Sequence, residues 1–128
     1  MDSFLNRFRT EPLSSVIFVM DYIQLDFNGL RLTLYVWPKV TVTGTPPLSE
    51  GGPGYRDALC EFITHEVTEV RESSTDGLVL IFDMGTIQVN PSAADLVGPE
   101  IAMGQAAQPD RGEWMVWQPG KPLFESLT

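Results

Sequence analysis

The stretch IQLDFNGLRLTLYV, residues 23–36, has the pattern of a β-hairpin and decides the fold class of the chain. Apolar residues alternate with other side chains from Leu30 to Val36, and this period of two places one face of a strand in a core. The dipeptide Asn28-Gly29 precedes that run, and it is the pair that most favours the positive φ angles of a type I′ turn. The stretch therefore predicts two antiparallel strands joined by a two-residue turn.

The same pattern occurs again in LVLIFDMGTIQV, residues 78–89, where Asp83-Met84-Gly85 takes the place of the Asn-Gly turn. The apolar residues that precede each hairpin also correspond, Val67 and Val70 matching Val16 and Val19. Each copy thus predicts a three-stranded meander, and two meanders can bury their apolar faces by closing as a sandwich or a partly open barrel. The alternative is a chance match, because every amphipathic hairpin has a period of two.

The length of 128 residues is typical of one domain, and the predicted fold class is α+β, mostly β, over residues 1–128. A linker is predicted from clustered prolines and glycines, and the helix after it from an apolar stripe at helical spacing. The predicted segments are a short N-terminal helix, repeat one (about 13–40), the linker (41–54), the helix (about 55–64), repeat two (about 66–91) and a C-terminal hairpin (about 100–118).

The chain is acidic, with 17 acids against 8 bases and a net charge of −9. This charge repels nucleic acid and anionic lipid and favours a basic protein partner, although acidity that serves solubility alone is the alternative. Arg71 is the only base after Arg56 in the most acidic segment. The acids of that segment are Asp57, Glu61, Glu66, Glu69, Glu72 and Asp76.

No residue set predicts catalysis, a cofactor or a metal. His65 and Cys60 are each the only residue of their type, and five residues along a helix is a rotation of about 140°, so they would not share a face. Asp26 and Asp83 have similar places in the two repeats and are a candidate carboxylate pair, but aspartate is common beside turns for backbone hydrogen bonding.

The tryptophans are candidate interface anchors. Trp114 and Trp117 are an odd number of residues apart, so a regular strand cannot direct both into the core, and we expect one of them to be partly exposed. Trp37 and Trp117 join the acids as predicted partner-binding residues.

The chain has no apolar run of the roughly 18 residues that a membrane span requires, and no signal-peptide pattern at its N-terminus. Its single cysteine, Cys60, cannot form an internal disulfide. These features predict a cytoplasmic location without membrane contact.

Three stretches carry a resemblance to a known group of proteins: VMDYIQLDFNGLRLTLYVWP, GYRDALCEFI, and LVLIFDMGTIQVNP with the later GPEIAM and GEWMVWQPG. Together they resemble an uncharacterised bacterial family of small β-rich proteins, one of the domains of unknown function. The resemblance implies a stand-alone bacterial cytoplasmic domain and brings no catalytic residues.

Small size, acidity and the absence of a catalytic pattern favour a non-enzymatic protein-binding module, such as an immunity or antitoxin-type protein that masks a basic partner. The alternative is a β-barrel or sandwich that binds a small molecule in a pocket between the repeats, lined by aromatic residues. An enzyme that uses Asp26 and Asp83 is the third hypothesis. A homodimer through an open sheet edge is compatible with each of them.

Overall fold

The computed structural model describes residues 4–96, 98–106, 114–120 and 124, and nine strands in this part of the chain form two antiparallel sheets. The strands are β1 (Ser15–Val19), β2 (Tyr22–Phe27), β3 (Leu30–Leu34), β4 (Lys39–Val42), β5 (Val67–Ser73), β6 (Gly77–Phe82), β7 (Gly85–Val89), β8 (Ala102–Gln105) and β9 (Trp114–Trp117). The first sheet has the order β1-β2-β3-β8-β9, and the second has the order β4-β7-β6-β5. The arrangement is a sandwich rather than a closed barrel, because the nine described strands pair within two separate sheets.

Three short helical segments accompany the strands: a 3₁₀ helix (Phe4–Phe8), α1 (Tyr55–Glu61) and a second 3₁₀ helix (Ala93–Asp95). The N-terminal helix expected from the sequence is therefore 3₁₀. The helix predicted over residues 55–64 ends early, because Thr64 has a φ of 83° and the chain turns there. Ser92 and Asp95 form a capping box at the second 3₁₀ helix, in agreement with their spacing in the sequence.

Both predicted meanders are confirmed, since β1-β2-β3 lie together in one sheet and β5-β6-β7 in the other. Asn28 and Gly29 have φ angles of 58° and 97°, as a type I′ turn requires. The alternating apolar residues face between the sheets. In β2, Ile23, Leu25 and Phe27 are all fully buried.

The fourth strand of each repeat belongs to the opposite sheet. After β3 the chain crosses over, so that β4 pairs with β7, and after β7 it crosses back, so that β8 pairs with β3. The prediction of a linker from residue 41 was wrong here, because Thr41 and Val42 are part of β4 and Val40 exchanges two backbone hydrogen bonds with Leu48. The C-terminal hairpin is confirmed as β8 and β9, although its connecting residues 107–113 lie outside the described part of the chain.

Backbone hydrogen bonds between the halves occur in symmetric pairs. The amide of Thr10 donates to the carbonyl of Val67 at 2.7 Å, and the amide of Thr64 donates to the carbonyl of Leu13 at 2.8 Å. The reverse bonds run from the amide of Val67 to Glu11 and from the amide of Leu13 to His65. Each of these residues in the first half has a counterpart 54 positions later that makes the same bond: Thr10 with Thr64, Glu11 with His65, and Leu13 with Val67. A local twofold axis therefore relates the halves.

Two further observations locate this axis. Thr10 and Thr64, which are counterparts, both have a positive φ, 69° and 83°. Pro12 pairs with Glu66, its own counterpart, in an isolated bridge, and a residue can meet its counterpart only at the axis. The internal repeat predicted from the sequence is therefore a true structural repeat.

The axis corrects some of the equivalences predicted from the sequence. Val67 is the counterpart of Leu13, not of Val16, because the paired backbone bonds relate residues 54 positions apart. Val16 corresponds instead to Val70, since they pair with Leu25 and Leu80 at equivalent places in the two meanders. Asp26 and Asp83 are not counterparts either. The closing strand pairs of the two hairpins are Phe27 with Leu30 and Phe82 with Gly85, so the counterpart of Asp83 is Asn28.

Aromatic pairs repeat with the same symmetry inside the core. Phe8 packs edge-on against Phe27 with ring centroids 5.0 Å apart, and Phe62 packs edge-on against Phe82 at 4.8 Å. The helical segment of each repeat thus anchors the hairpin of its own repeat.

Within the described residues, no helix has the length and apolar character needed to cross a membrane.

Candidate functional site

The predicted acidic segment lies at the surface, on α1 and along the edge of the second sheet. Its members are Asp57 and Glu61 on α1, Glu66 before β5, Glu69 and Glu72 on β5, and Asp76 in the turn that follows. Five of the six side chains are exposed, and Glu72 is half-buried. The six acids are called the acidic edge below.

Strand β5 is the outer strand of its sheet, so one side of its backbone faces away from β6. On that side, the backbone of Val67 is bonded to residues 10 and 11. Arg71 donates to Glu69 at 3.2 Å, and both side chains are more than half exposed. Such a pair contributes little to stability, so both side chains can be reoriented at low cost.

The tryptophans behave as their spacing predicts, but the choice of Trp117 as a contact residue was wrong. Trp117 is 3% exposed and belongs to the core, whereas Trp114 is 63% exposed. Trp37 is half-buried, and the guanidinium of Arg56 lies 5.6 Å from its ring centroid and 4.7 Å from that of Phe18. The face of Trp37 therefore already holds a cation of the chain itself.

A cleft of about 410 Å³ lies where the two repeats meet. Repeat one contributes residues 36–39 and the loop residues Ser49 and Glu50, and repeat two contributes the end of β7 and the segment up to Asp95. Its lining residues are Val36, Trp37, Pro38, Lys39, Ser49, Glu50, Gln88, Asn90, Pro91 and Asp95. This set is called the inter-repeat cleft.

Two side-chain amides of the cleft are held by the turn between β5 and β6. The Gln88 Nε2 group donates to the carbonyl of Asp76 at 2.8 Å, and the Asn90 Nδ2 group donates to the carbonyl of Thr75 at 2.9 Å. A backbone carbonyl only accepts, so these bonds identify the donating atom of each amide. The cleft is thereby connected directly to the Asp76 end of the acidic edge.

Tyr55 fixes the opposite wall of the cleft. It is buried at the start of α1, and its hydroxyl donates to the carbonyl of Pro38 at 2.5 Å. Burial, with a smaller contribution from the Glu50 carboxylate, raises the pKa of the Tyr55 hydroxyl well above its ordinary value. Tyr55 is therefore neutral at physiological pH and keeps the proton that this hydrogen bond needs.

His65 has a partner that the sequence did not reveal. Its Nδ1 atom lies 2.9 Å from a carboxylate oxygen of Asp83, and both side chains are at the surface. His65 follows the end of α1 and Cys60 is exposed on it. In the described part of the chain, no three His, Cys, Asp or Glu side chains are grouped so that they could hold a metal ion.

The carboxylate pair proposed from the sequence is divided between separate partners. Asp26 accepts from the guanidinium of Arg31 at 3.1 Å and from the amide of Gly29 at 2.8 Å, in the first sheet. Asp83 accompanies His65 in the second sheet. Asp26 therefore supports its own hairpin turn, the role that aspartate commonly has beside a turn.

Comparisons with protein-family models, with curated proteins and with solved structures gave no match to this chain. The resemblance to a bacterial family of small β-rich proteins stays a prediction.

Proposed function

We propose that this protein is a non-enzymatic binding module that masks a basic protein partner, as an immunity or antitoxin-type protein does. The observation that carries the proposal is the acidic edge, whose five exposed carboxylates lie on α1, before and on the outer strand β5, and in the turn after it. Long-range attraction accelerates the encounter of such a surface with a basic protein.

The partner is expected to depend on charge at this edge. A pull-down with the tagged protein from a lysate of the source cells, washed at low and at moderate salt, should retain one basic protein near stoichiometry and lose it as salt rises. The Glu66→Lys/Glu69→Lys variant should bind that protein at least about tenfold more weakly, since each reversed charge removes an attraction and adds a repulsion.

The matched control is Asp21→Lys/Glu100→Lys, which changes the net charge equally at residues outside the acidic edge. It should retain most of the affinity. Equal losses in the two variants would mean that only total charge matters, and unchanged binding in the Glu66→Lys/Glu69→Lys variant would show that the partner binds elsewhere.

The second candidate function is binding of a small molecule. The inter-repeat cleft supports it, because a cavity of about 410 Å³ lies between the repeats and contains one aromatic residue, Trp37. A ligand that binds only the folded protein stabilises it by about 2.7 kcal/mol at 100 times its Kd, so a thermal-shift screen of metabolites should find a clear rise in Tm. A screen at millimolar concentrations without any rise would contradict this candidate.

A further inference from the structure

We propose that the inter-repeat cleft binds a guanidinium or alkylammonium group, and that this group is an arginine or lysine side chain of the basic partner. The assignment of the cation to a partner protein depends on the proposed function. The preference of the cleft for a cation depends only on the groups that line it.

Hydrogen-bond acceptors predominate among the polar groups of the cleft. Glu50 and Asp95 supply carboxylates, and both are exposed to a ligand that enters. Gln88 and Asn90 use their NH₂ groups on the backbone of the β5–β6 turn, which leaves the amide oxygen as the other polar atom of each side chain. A ligand that satisfies this set must be a donor, and a positive charge complements the two carboxylates.

The floor of the cleft is suited to the rest of a long basic side chain. Val36, Pro38 and Pro91 are buried there and present apolar surface, while the carboxylates lie in exposed positions. Arginine and lysine commonly lay their methylene groups on apolar surface and direct the charged group to polar partners. Trp37, one face of which is occupied by Arg56, adds the rest of its ring to this apolar lining.

The cleft lies between the two ends of the acidic edge. Glu50 belongs both to the cleft and to a neighbouring depression that includes Asp57 of α1. On the opposite side, Gln88 contacts the backbone of Asp76. A basic partner on the acidic edge would therefore meet the cleft without leaving the negatively charged surface.

Lys39 provides a second test, in which removal of a charge is expected to change the affinity for a cation in the opposite direction. It lines the cleft and is exposed, so its ammonium group repels a bound cation while Glu50 attracts it. Removal of Glu50 should weaken binding, and removal of Lys39 should strengthen it. A site for an anionic ligand would show the reverse of both effects.

The experiment is a titration of the ¹⁵N-labelled protein with Nα-acetyl-arginine-N-methylamide, followed by NMR. Chemical shifts of the Trp37 indole and of the Gln88 and Asn90 side-chain amides should change together and saturate. We expect Glu50→Gln to raise Kd about fivefold, Lys39→Gln to lower it by a similar factor, and Asp21→Asn, which lies outside both the cleft and the acidic edge, to leave it unchanged. Absence of these shifts, or an equal effect of Asp21→Asn, would overturn the proposal.

A parallel titration with spermidine distinguishes the two sources of a cation. Tighter binding of the arginine derivative supports a partner side chain, whereas much tighter binding of spermidine would show that the site serves a free polyamine and would overturn that part of the assignment. The pull-down tests the partner independently. If the pull-down retained a basic protein but neither probe bound to the cleft, the proposal for the cleft would be refuted and the protein-binding function would still stand.

Discussion

Gly85→Ala is expected to lower the free energy of unfolding by about 3 kcal/mol or more. A Cβ atom at Gly85 would overlap the backbone carbonyl of Thr41 in β4, and φ at this residue is +157°. A backbone carbonyl in a paired strand cannot move aside as a flexible side chain can. The substitution should therefore separate β4 from β7, and urea unfolding followed by circular dichroism would measure the loss.

Gly44→Ala is the matched control, because Gly44 also has a positive φ, +89°, but its Cβ would meet no atom within 4 Å. It should cost only the strain of the left-handed conformation, about 1–2 kcal/mol. If the two variants lost the same stability, the close approach of β4 to β7 would not be a constraint on the fold.

Phe62→Ala is expected to destabilise the protein by about 3–5 kcal/mol, the usual cost of removing a buried phenylalanine. Phe62 is fully buried and packs edge-on against Phe82, so its removal leaves a cavity between α1 and the hairpin of the second repeat. Because Phe8 makes the corresponding contact with Phe27, Phe8→Ala should cost a similar amount. Thermal and urea unfolding of the two variants would test this equality.

Phe18→Ala serves as the comparison, since Phe18 is only half-buried on the outer strand β1. It should lose clearly less stability than either core variant. A loss below about 1 kcal/mol for Phe62→Ala would contradict the view that the two aromatic pairs anchor the halves.

Local patterns in the sequence were sufficient to predict the meanders. The Asn28-Gly29 turn and the alternation that follows it act over a few residues, and the same holds for the second hairpin and for the capping box of Ser92 and Asp95. Such features depend on contacts between near neighbours in the chain. A short-range pattern therefore carries nearly all the information that they need.

The exchange of the fourth strands could not be predicted in the same way. Lys39–Val42 has only four residues, and nothing in its own sequence states which sheet it joins. Its pairing with β7 depends on residues more than 40 positions away. The equivalence of Leu13 and Val67 was missed for a related reason, because it depends on backbone bonds between the two halves and not on the apolar pattern of either segment.

The candidate site also has one part that could be predicted from the sequence and one part that could not. The acidic edge was predicted because its members are close in sequence, and the structure places them on α1 and at one sheet edge. A pocket between the repeats was an alternative hypothesis, but its polar lining was not predicted, because Lys39, Glu50 and Asp95 are distant in sequence and meet only through the crossing of the chain between sheets. Trp114 and Trp117 are an odd number of residues apart, which predicted that they face opposite sides of a strand. Only the fold decided which of the two is buried.

The strand exchange has a consequence for the loop between β4 and α1, residues 43–54. Each sheet contains strands from both halves, β8 and β9 in the first and β4 in the second, and bridges around Pro12 and Glu66 add further contacts between the halves. The halves are held together by these ladders rather than by the peptide that connects them. A protease that cut the exposed glycines of this loop would therefore produce two fragments that remain one particle.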